Sequence, residues 1–592
     1  MSTVTTATSP AFDRAHMLGR LEVEQFDVLV VGGGITGVGV ALDAASRGLR
    51  TALVERGDFA SGTSSRSSKL VHGGLRYLQQ GEVRLVYEAL RERQRLRTNA
   101  PHLVSVLPFM IPILGRPPKP GDGTDSSDAA GTKSVVNRKI ARALGSAMWM
   151  YDLTGGWRIG KLHKRLNKDQ TIAHMPTIPA GRVLAAYLYH DAAVDDARLV
   201  LTVARTAAAH GAAVANACAV VGFTHRSDGT VDGVTAEADG RRFDIRASVV
   251  VNAAGVWSDR VRGLDEGTDP DSIRPAKGVH ITVAWTKVRN DIAVVIPVPK
   301  DKRSLFLVPW GPNGDGTFRH TYVGTTDTDY QGPLDDPQCT ADDIAYVLRA
   351  LNASVDPALS GGITEADVTG VWAGLRPLVK SADAGRTADL SRRHSITRND
   401  HGVITVTGGK LTTYREMAED TVDQVVEVLG RRARCRTRRL QLVGATAASK
   451  HPGIDADLVA RHGSLTGDLL RMADTDPALL EPLVPGLTYL RVEAVWAVRH
   501  EMARTLDDVL GRRTRARLLD RAATVAAAPD VARLIAPHLG WDAGETDRQL
   551  RAFLASCADE AAAGDVSEAE YLASVLPGEP APSADPAGGT RS

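Results

Sequence analysis

The sequence predicts an α/β protein with a separate helical domain after about residue 450. Residues 26–96 alternate apolar strands, glycine turns and helices, and a similar alternation continues to about residue 445. Beyond residue 450 the apolar residues instead fall at helical spacing. They include Val495, Val498, Met502, Leu506, Val509 and Leu510. With 592 residues the chain is too long for one core, so at least two domains are expected.

Composition excludes several classes of protein. Apolar residues make up 43% of the chain, too many for a disordered protein. Lysine and arginine total 71 against 70 aspartates and glutamates, which gives no global attraction to nucleic acid or membrane. The four cysteines are scattered without a C-x-x-C pair, so we expect no disulfide framework and no metal site, in a reducing cytoplasm. No secretory signal and no stretch long enough to span a bilayer is recognised.

Three stretches are predicted to lie outside the folded domains. Residues 1–22 are expected to form a flexible N-terminal arm, and residues 577–592 a disordered tail rich in Pro, Gly and Ala. Residues 115–133 (GRPPKPGDGTDSSDAAGTK) have the composition of a mobile surface insertion. The helical C-terminal domain is therefore expected over residues 450–576.

A glycine-rich turn near the start of the chain predicts a dinucleotide site. An apolar strand ends at Val31, and a G-x-G-x-x-G spacing follows at Gly32, Gly34 and Gly37. Glycine permits the tight turn and lets backbone amides approach a pyrophosphate, whose charge a helix N-terminus attracts. We expect the helix to run from about Ile35 to Arg47.

The next strand adds a carboxylate to this site. Thr51–Val54 is predicted to be a strand, and Glu55 directly after it can accept hydrogen bonds from a ribose. A glycine turn needed only for packing would leave Glu55 without a purpose. The pattern as a whole indicates a dinucleotide but does not separate NAD from FAD.

Two later stretches favour a flavin. Residues 249–259 (VVVNAAGVWSD) form a buried strand followed by small residues, and residues 407–415 (TGGKLTTYR) place glycines before a helix. Each alone could be an ordinary strand–turn or turn–helix junction. Together, on a chain that opens with a nucleotide turn, they indicate that the backbone passes close to a flavin.

A polar stretch at residues 64–78 (SSRSSKLVHGGLRYL) is the strongest candidate for a second part of the site. It and Thr63 before it carry many hydroxyl donors, and Gly73 and Gly74 let the backbone take unusual angles near a flat ring. A solvated polar loop is the alternative. The presence of Glu55 and the later glycine turns favours the functional interpretation.

These motifs give the chain a specific resemblance. It resembles the FAD-dependent glycerol-3-phosphate dehydrogenases of the aerobic, quinone-linked type, within the D-amino-acid-oxidase-like flavoprotein group. The similarity extends from residue 26 to about 420, and the helical C-terminal domain also fits. The stretches that carry it are VVGGGITGVGVALDAASRGL, ASGTSSRSSKLVHGGLRYL, VVNAAGVWSD, KGVHI, KRSLFLVPW, VGTTDTDY, GLRPL and TGGKLTTYR.

The resemblance implies how the α/β part is divided. A Rossmann-like FAD-binding domain is expected from residues of about 23–98, 190–275 and 365–430. A mixed-sheet substrate domain is interleaved with it, from about 99–189 and 276–364, so that residues 23–445 form one oxidoreductase unit. The residues expected to bind FAD are Gly32, Gly34, Gly37, Glu55, Thr63, Ser64, Ser65, Ser67, Ser68, Lys69, Leu70, Ala254, Gly255, Trp257, Gly409, Lys410, Leu411 and Thr412.

The implied reaction oxidises sn-glycerol 3-phosphate to dihydroxyacetone phosphate, with a hydride passing from C2 to flavin N5. A phosphate dianion calls for several fixed cations, preferably arginines. The candidates by motif are Arg76, Arg303, Arg376, Arg392 and Lys410. Arg393 could take the place of Arg392.

A base must remove the proton of the C2 hydroxyl. His280 in KGVHI is our first candidate and His72 in LVHGG the second, and Arg376 could act as an unusual base or an electrostatic stabiliser. A core histidine bonded to a backbone carbonyl is the alternative for each histidine.

The resemblance implies that electrons pass to a membrane quinone, which requires contact with a bilayer. Residues 137–166 have the make-up of an interfacial helix, and residues 431–439 (RRARCRTRR) hold six arginines. A helix packed on the core and a solvated linker are the alternatives. We expect a cytoplasmic protein attached peripherally to the inner face of the cell membrane; a homodimer is compatible with the sequence.

Nucleic acid is not an expected partner, because no aromatic residues interleave the arginines. Two other functions stay open: an oxygen-using glycerol-3-phosphate oxidase on the same scaffold, and a non-catalytic flavin-binding protein.

Overall fold

Two β-sheets and a helical C-terminal domain make up the part of the protein that the structure describes. The computed structural model describes residues 12–75, 77, 82–115, 144–301, 303–380, 394–446 and 455–565. Strands and helices alternate up to about residue 430, and helices dominate after residue 455. The predicted fold class is therefore confirmed.

The first sheet has eight strands and contains the strand of the glycine turn. It consists of β1 (Gln25–Val31), β2 (Thr51–Val54), β7 (Ala213–Ala215), β8 (Ala219–His225), β9 (Val231–Ala238), β10 (Arg241–Asn252), β17 (His394–Arg398) and β18 (Ile404–Gly408). The order is β17–β18–β10–β1–β2–β7, with β9 paired to β10 and β8 to β9. The inner pairs β18–β10, β10–β1, β1–β2 and β2–β7 are all parallel.

The second sheet has ten strands and is mixed. It consists of β3 (Leu70–Val71), β4 (Val104–Leu114), β5 (Lys164–Leu166), β6 (Val183–Val194), β11 (Ile273–Ala284), β12 (Ala293–Pro297), β13 (Ser304–Pro312), β14 (Phe318–Gly324), β15 (Thr328–Asp329) and β16 (Val368–Val379). Its path is β15–β11–β14–β13–β12–β4–β6–β3, with β16 beside β11 and β5 beside β6. β12 and β4 are parallel, whereas β11 and β16 form a long antiparallel pair.

The two sheets take their strands from alternating stretches of chain. Two strands differ from the predicted division. β3 and β16 belong to the second sheet, although they lie inside residues 23–98 and 365–430, which we assigned to FAD binding. β3 pairs with β6, and β16 pairs with β11 from Ile273 to Val283, so these hydrogen-bonded ladders place both strands in the second sheet.

Helices cover both sheets. They are α1 (Arg14–Val23), α2 (Ile35–Ser46), α3 (Val83–Asn99), α4 (144–154), α5 (Lys168–His174), α6 (Asp196–Ala209), α7 (Ser258–Glu266), α8 (Ala341–Asn352), α9 (Pro357–Ser360) and α10 (Tyr414–Val428). α2 matches its predicted bounds to within one residue, with Arg47 as its C-cap. No helix in the described part of the chain combines the length and hydrophobicity that a membrane crossing needs.

The expectation of a flexible arm over residues 1–22 is wrong for residues 12–22. Asp13 caps α1 by accepting a hydrogen bond from the backbone of His16. Met17 and Leu21, one helical turn apart, are fully buried in the core of the first sheet. This apolar pair is what holds the segment to the sheet; residues 1–11 lie outside the described residues.

The C-terminal domain is helical, but its apolar pattern does not form one helix. Val495 and Val498 lie on the helix Arg491–His500, the chain then turns at Met502 with φ +55°, and Val509 lies in the π-helical segment Asp508–Arg513. Val498 and Val509 share a core because the turn folds the two segments together, whereas Val495 packs in a neighbouring apolar cluster and Met502 in the core of the first sheet. The remaining helices are Ala456–His462, Thr466–Arg471, Ala516–Leu519, Arg521–Leu539 and Ala543–Gly564. Residues 566–592, with the predicted tail, lie outside the described residues.

Candidate active site

A cavity of about 350 Å³ opens at the carboxyl ends of β1, β2, β10 and β18. Parallel strands direct their carboxyl ends, and the loops that follow them, to one edge of a sheet, where nucleotides bind in doubly wound folds. All four predicted glycine, acid and small-residue segments reach this cavity. The predicted residues that line it are Gly32, Gly34, Glu55, Thr63, Ser64, Ala254, Gly255, Trp257, Gly409, Lys410 and Leu411.

The three motif glycines have different tasks. Gly32 has φ +114°, and a Cβ there would lie 2.7 Å from the Ala253 carbonyl oxygen. A Cβ at Gly37 would lie 1.9 Å from the Gly32 carbonyl oxygen, so this glycine lets the helix close onto the turn. Gly34 lines the cavity, and a Cβ there would approach Ser64 Oγ to 3.2 Å. Gly37 itself does not line the cavity.

Glu55 is fixed at the end of β2 by two backbone donors. The amides of Gly33 and Gly57 donate to its carboxylate at 2.6 and 2.7 Å. Burial raises the pKa of the Glu55 carboxyl above its ordinary value, and the two amides oppose that shift. The carboxylate is thus held in one orientation at the cavity wall.

The polar stretch divides into two parts. Thr63 and Ser64 face the cavity: Ser64 Oγ accepts from the amide of Ile35 at 2.9 Å, and Thr63 Oγ1 donates to the Leu375 carbonyl at 2.5 Å. The first bond ties the stretch to the glycine turn, and the second ties it to β16. Thr63 and Ser64 therefore join the two sheets.

The second part turns away from the cavity toward Asp196. Ser67 donates to this carboxylate from its amide at 3.0 Å and from its hydroxyl at 2.7 Å. Lys69 Nζ lies 3.3 Å from it and 4.6 Å from the centre of the Trp372 ring. Desolvation is the main cause that lowers the pKa of Lys69 to about 8, and Asp196 opposes the shift. Ser65 and Leu70 are likewise buried away from the cavity.

Asp196 and Arg515 were both missed by sequence reasoning. Arg515, from the C-terminal domain, pairs with Asp196 and donates to the Ser65 carbonyl at 3.1 Å. In the sequence Asp196 has the ordinary appearance of an acidic residue in a helix first turn. Nothing in the local pattern points to either residue, because both contact partners that are more than a hundred positions away in the sequence.

Two predicted substrate cations meet at Asp327. Arg376 Nη1 lies 3.2 Å from the Asp327 carboxylate, and Arg303 Nη1 donates to the Asp327 carbonyl at 2.8 Å. Arg376 directly precedes Pro377, which lines the cavity. Lys410 also lines the cavity, with its ammonium 3.7 Å from the centre of the Tyr77 ring. Arg76, Arg392 and Arg393 lie outside the described residues.

His280 is buried behind the polar stretch. It is 2% exposed, stacks on Trp372 at 4.8 Å between ring centres, and its Nε2 lies 2.9 Å from Ser68 Oγ. Burial is the main cause that lowers the pKa of His280 well below its ordinary value, with Lys69 and Arg376 adding to the shift. The ring is therefore neutral at physiological pH.

His72 lies within the polar stretch and is half-buried. Its amide donates to Thr412 Oγ1 at 3.2 Å, which links the stretch to the turn after β18. Thr412 is buried and does not line the cavity.

Several cavity residues were not among the predicted site residues. Ser61, Val220, Arg260 and Pro377 line it together with Arg56, whose guanidinium lies 5.1 Å over the Trp257 ring. Arg260 follows VVNAAGVWSD by one residue and could have been found by extending that motif along α7. Val220 lies on β8, and only the pairing of β8 with β9 brings it to the cavity.

Known proteins match this chain over both of its parts. The family described as FAD dependent oxidoreductase matches residues 27–415, and the C-terminal domain of alpha-glycerophosphate oxidase matches residues 435–546. A protein named glycerol-3-phosphate dehydrogenase 2 from Mycobacterium tuberculosis (strain ATCC 25618 / H37Rv) is 39% identical, covering 93% of this chain and 91% of its own. A probable mitochondrial glycerol-3-phosphate dehydrogenase from Caenorhabditis elegans is 38% identical, covering 89% and 72%.

A solved structure agrees with these sequences. The glycerol-3-phosphate dehydrogenase from Bacillus halodurans complexed with FAD is 30% identical and has a TM-score of 0.71, covering 92% of this chain and 97% of its own. FAD is accordingly the cofactor of this protein. With both family matches in chain order and a nucleotide cavity built by their motifs, this chain belongs to the FAD-dependent glycerol-3-phosphate dehydrogenase family.

Proposed function

We propose that this protein oxidises sn-glycerol 3-phosphate to dihydroxyacetone phosphate and passes the electrons to a membrane quinone. The observation that carries the proposal is the presence of cations at and beside the nucleotide cavity. Lys410 lines that cavity, and Arg376 adjoins it through Pro377. Both cations, with Arg303, suit a small phosphate dianion.

The cavity fits FAD by the chemistry of its walls. The turn at Gly32–Ile35 brings bare backbone to the cavity, and Glu55 offers a fixed acceptor for a ribose hydroxyl. The small residues Ala254 and Gly255 leave room on the β10 side, and Gly409–Leu411 close the β18 side. When bound, FAD supplies the hydride acceptor.

The residues of the chain have to hold the substrate and remove one proton. We assign Arg376, Arg303 and Lys410 to the phosphate, together with Arg76 and Arg392 by motif. Asp327 orients the first two by binding both guanidinium groups. Arginine suits this task because its planar donors match two phosphate oxygens at once.

His280 is the proposed base. A neutral imidazole can accept a proton, and desolvation keeps this ring neutral. Its hydrogen bond to Ser68 Oγ offers a route by which a proton from the substrate side could reach the buried ring. His72 is the second candidate, and Arg376 would stabilise the developing alkoxide.

An exposed apolar surface supports the quinone and membrane parts of the proposal. Trp149 is 56% exposed and Leu153 77%, and they line an open groove with Val83 and Tyr87. The opposite face of α4 carries Tyr151, which accepts a hydrogen bond from the amide of Gly73 at 3.3 Å. One helix therefore connects this surface with the loop that bears His72. We propose that the surface meets the bilayer.

The six arginines at residues 431–439 add to this attachment only in part. Arg431 pairs with Asp27 at 2.9 Å, and Arg438 pairs with Glu419 at 2.6 Å. The other four are exposed, and they supply the positive charge that would attract anionic lipid.

The first experiment is an anaerobic visible spectrum of the purified protein with glycerol 3-phosphate. Bleaching of the flavin bands by this substrate, and not by glycerol, is the expected result. Reoxidation by a quinone without hydrogen peroxide supports the dehydrogenase, whereas rapid peroxide formation with oxygen would make it an oxidase. A flavin that does not bleach would overturn the proposed substrate.

A further inference from the structure

Two histidines and an aspartate converge on the face of the first sheet at the carboxyl end of α7. His225 ends β8, Asp265 lies on α7, and His401 lies in the turn between β17 and β18. His225 Nε2 lies 2.9 Å and His401 Nδ1 3.0 Å from the same oxygen, Asp265 Oδ1. The three atoms all lie within 4.8 Å of one another.

The carboxylate between the two rings is buried and held in place. The Asp265 side chain is 1% exposed, while the histidines are 32% and 40% exposed. Asn399 Nδ2 donates to the second oxygen, Oδ2, at 2.7 Å. Oδ1 is thereby turned toward the imidazoles, and the site is open to water on the histidine side.

We propose that His225, Asp265 and His401 form a zinc site with a fourth position open to water. Two imidazoles and a carboxylate are ligands that zinc prefers, whereas calcium and magnesium prefer oxygen ligands alone. Zinc bonds of about 2.0–2.1 Å in a tetrahedron place ligand atoms roughly 3.3 Å apart. The observed 2.9 and 3.0 Å separations need to open by only a few tenths of an ångström.

The alternative is a hydrogen-bonded cluster without an ion. Each imidazole would then donate an N–H to Asp265 Oδ1, and the two rings, 5.4 Å apart between centres, would stay as they are. In that arrangement His225 carries its proton on Nε2 and His401 on Nδ1, so that both donate to the same oxygen. A zinc ion would use both nitrogen lone pairs and the same oxygen.

A bound ion would join three segments that are far apart in sequence. His225 and Asp265 are separated by 40 positions, and His401 lies 136 beyond Asp265. α7 also carries Val261 and Leu264, which line the nucleotide cavity. The ion would thus hold α7 against two strand hairpins and steady one wall of that cavity. This assignment departs from our expectation of no metal site, which rested on cysteine spacing.

The test is calorimetric titration of zinc chloride into the FAD-loaded full chain after treatment with a chelator. One ion per chain is expected. His225→Gln and His401→Gln should each weaken binding by at least about tenfold, the lower bound for the loss of a supporting residue around a metal. His174→Gln is the matched control, because His174 pairs with a single carboxylate, Asp291, at 2.9 Å.

Two results would overturn the site: no saturable binding of zinc, or binding that the two variants leave unchanged. The flavin spectrum and circular dichroism of each variant check that it is folded. If a variant fails to fold, anomalous diffraction data from wild-type crystals grown with zinc, collected at the zinc absorption edge, test the site. An anomalous peak between the three side chains supports the site, and a peak only elsewhere contradicts it.

Discussion

Arg376 is held by three consecutive residues that follow β14. Its Nη2 lies 3.3 Å from Thr325 Oγ1 and 3.2 Å from the Thr326 carbonyl, and its Nη1 contacts Asp327. A Cβ at Gly278 would lie 2.7 Å from the guanidinium, so β11 has room for this side chain only because residue 278 is a glycine. The guanidinium is held in one place before substrate arrives.

Replacing Arg376 with Lys should lower kcat/KM for glycerol 3-phosphate by roughly 10- to 150-fold, because a charged hydrogen bond contributes about 1.5–3 kcal/mol. Lysine keeps the charge but loses the paired donors. Steady-state kinetics with a soluble quinone would measure this change. Arg289→Lys, at an exposed turn of the same domain, is the control. Equal kinetics in the two variants would remove Arg376 from the site.

His280 and His72 can be separated by their pH profiles. We expect His280→Asn to lower kcat by roughly 10²- to 10⁴-fold and to abolish the acidic limb of the profile, since a general base contributes that much. His72→Asn should change KM more than kcat. His320→Gln, a buried histidine on β14, is the control. The assignment fails if His72→Asn shows the larger loss in kcat.

At the scale of elements, arginine–carboxylate pairs attach the C-terminal domain to the first sheet. Arg513 pairs with Asp58 at 2.6 Å, and Arg198 on α6 pairs with Glu501 at 2.5 Å. These groups are buried, so each charge depends on its partner. The contact between the C-terminal domain and the first sheet therefore includes buried ion pairs.

Glu501 should make this contact sensitive to acid. Arg198 and Arg205 lower the pKa of its carboxyl to about 2, against an ordinary value of 4.5, although desolvation opposes them. A lowered pKa means that stability is fully present above pH 4.5 and is lost as the pH falls through about 2. The loss should be on the order of 3 kcal/mol.

Urea unfolding midpoints between pH 7 and pH 2 would measure this loss. Glu501→Gln should be less stable at pH 7, because it leaves two buried arginines without their charge partner. It should also lose less stability than the wild type between pH 4.5 and pH 2. Exposed Glu481→Gln is the control. If the stability of Glu501→Gln depended on pH as that of the wild type does, other carboxylates would govern the loss of stability in acid.

At the scale of the molecule, local sequence patterns predicted the nucleotide turn. The surroundings of the polar stretch and the place of β16 depend on contacts between residues far apart in sequence. The glycine turn, α2 and Glu55 lie within thirty residues, so their geometry follows from their own sequence. Ser67 is expected at the cofactor for its hydroxyl, and Lys69 because the resemblance implies it. Asp196 binds both, neither lines the cavity, and a contact across 129 positions leaves no local signal. The strand β16 was misassigned for the same reason.

We expect the apolar surface on α3 and α4 to attach the whole protein to membranes. The double variant Trp149→Ser, Leu153→Ser should bind anionic lipid vesicles roughly tenfold more weakly or worse, because it removes apolar area that would enter the bilayer. Vesicle co-sedimentation would measure this. Leu359→Ser is the control, since Leu359 is 50% exposed on α9 and does not line that groove. Equal sedimentation of all variants would place the membrane contact elsewhere.

The bond between Arg515 and Ser65 has a consequence for how the protein is made. A ribosome adds about 5–20 residues per second, and these two partners are 450 positions apart. The loop beside the cofactor cavity therefore emerges roughly 20 to 90 seconds before the arginine that fastens it. Whatever the order in which the sheets fold, the hydrogen bond to this loop can form only late in synthesis of the chain.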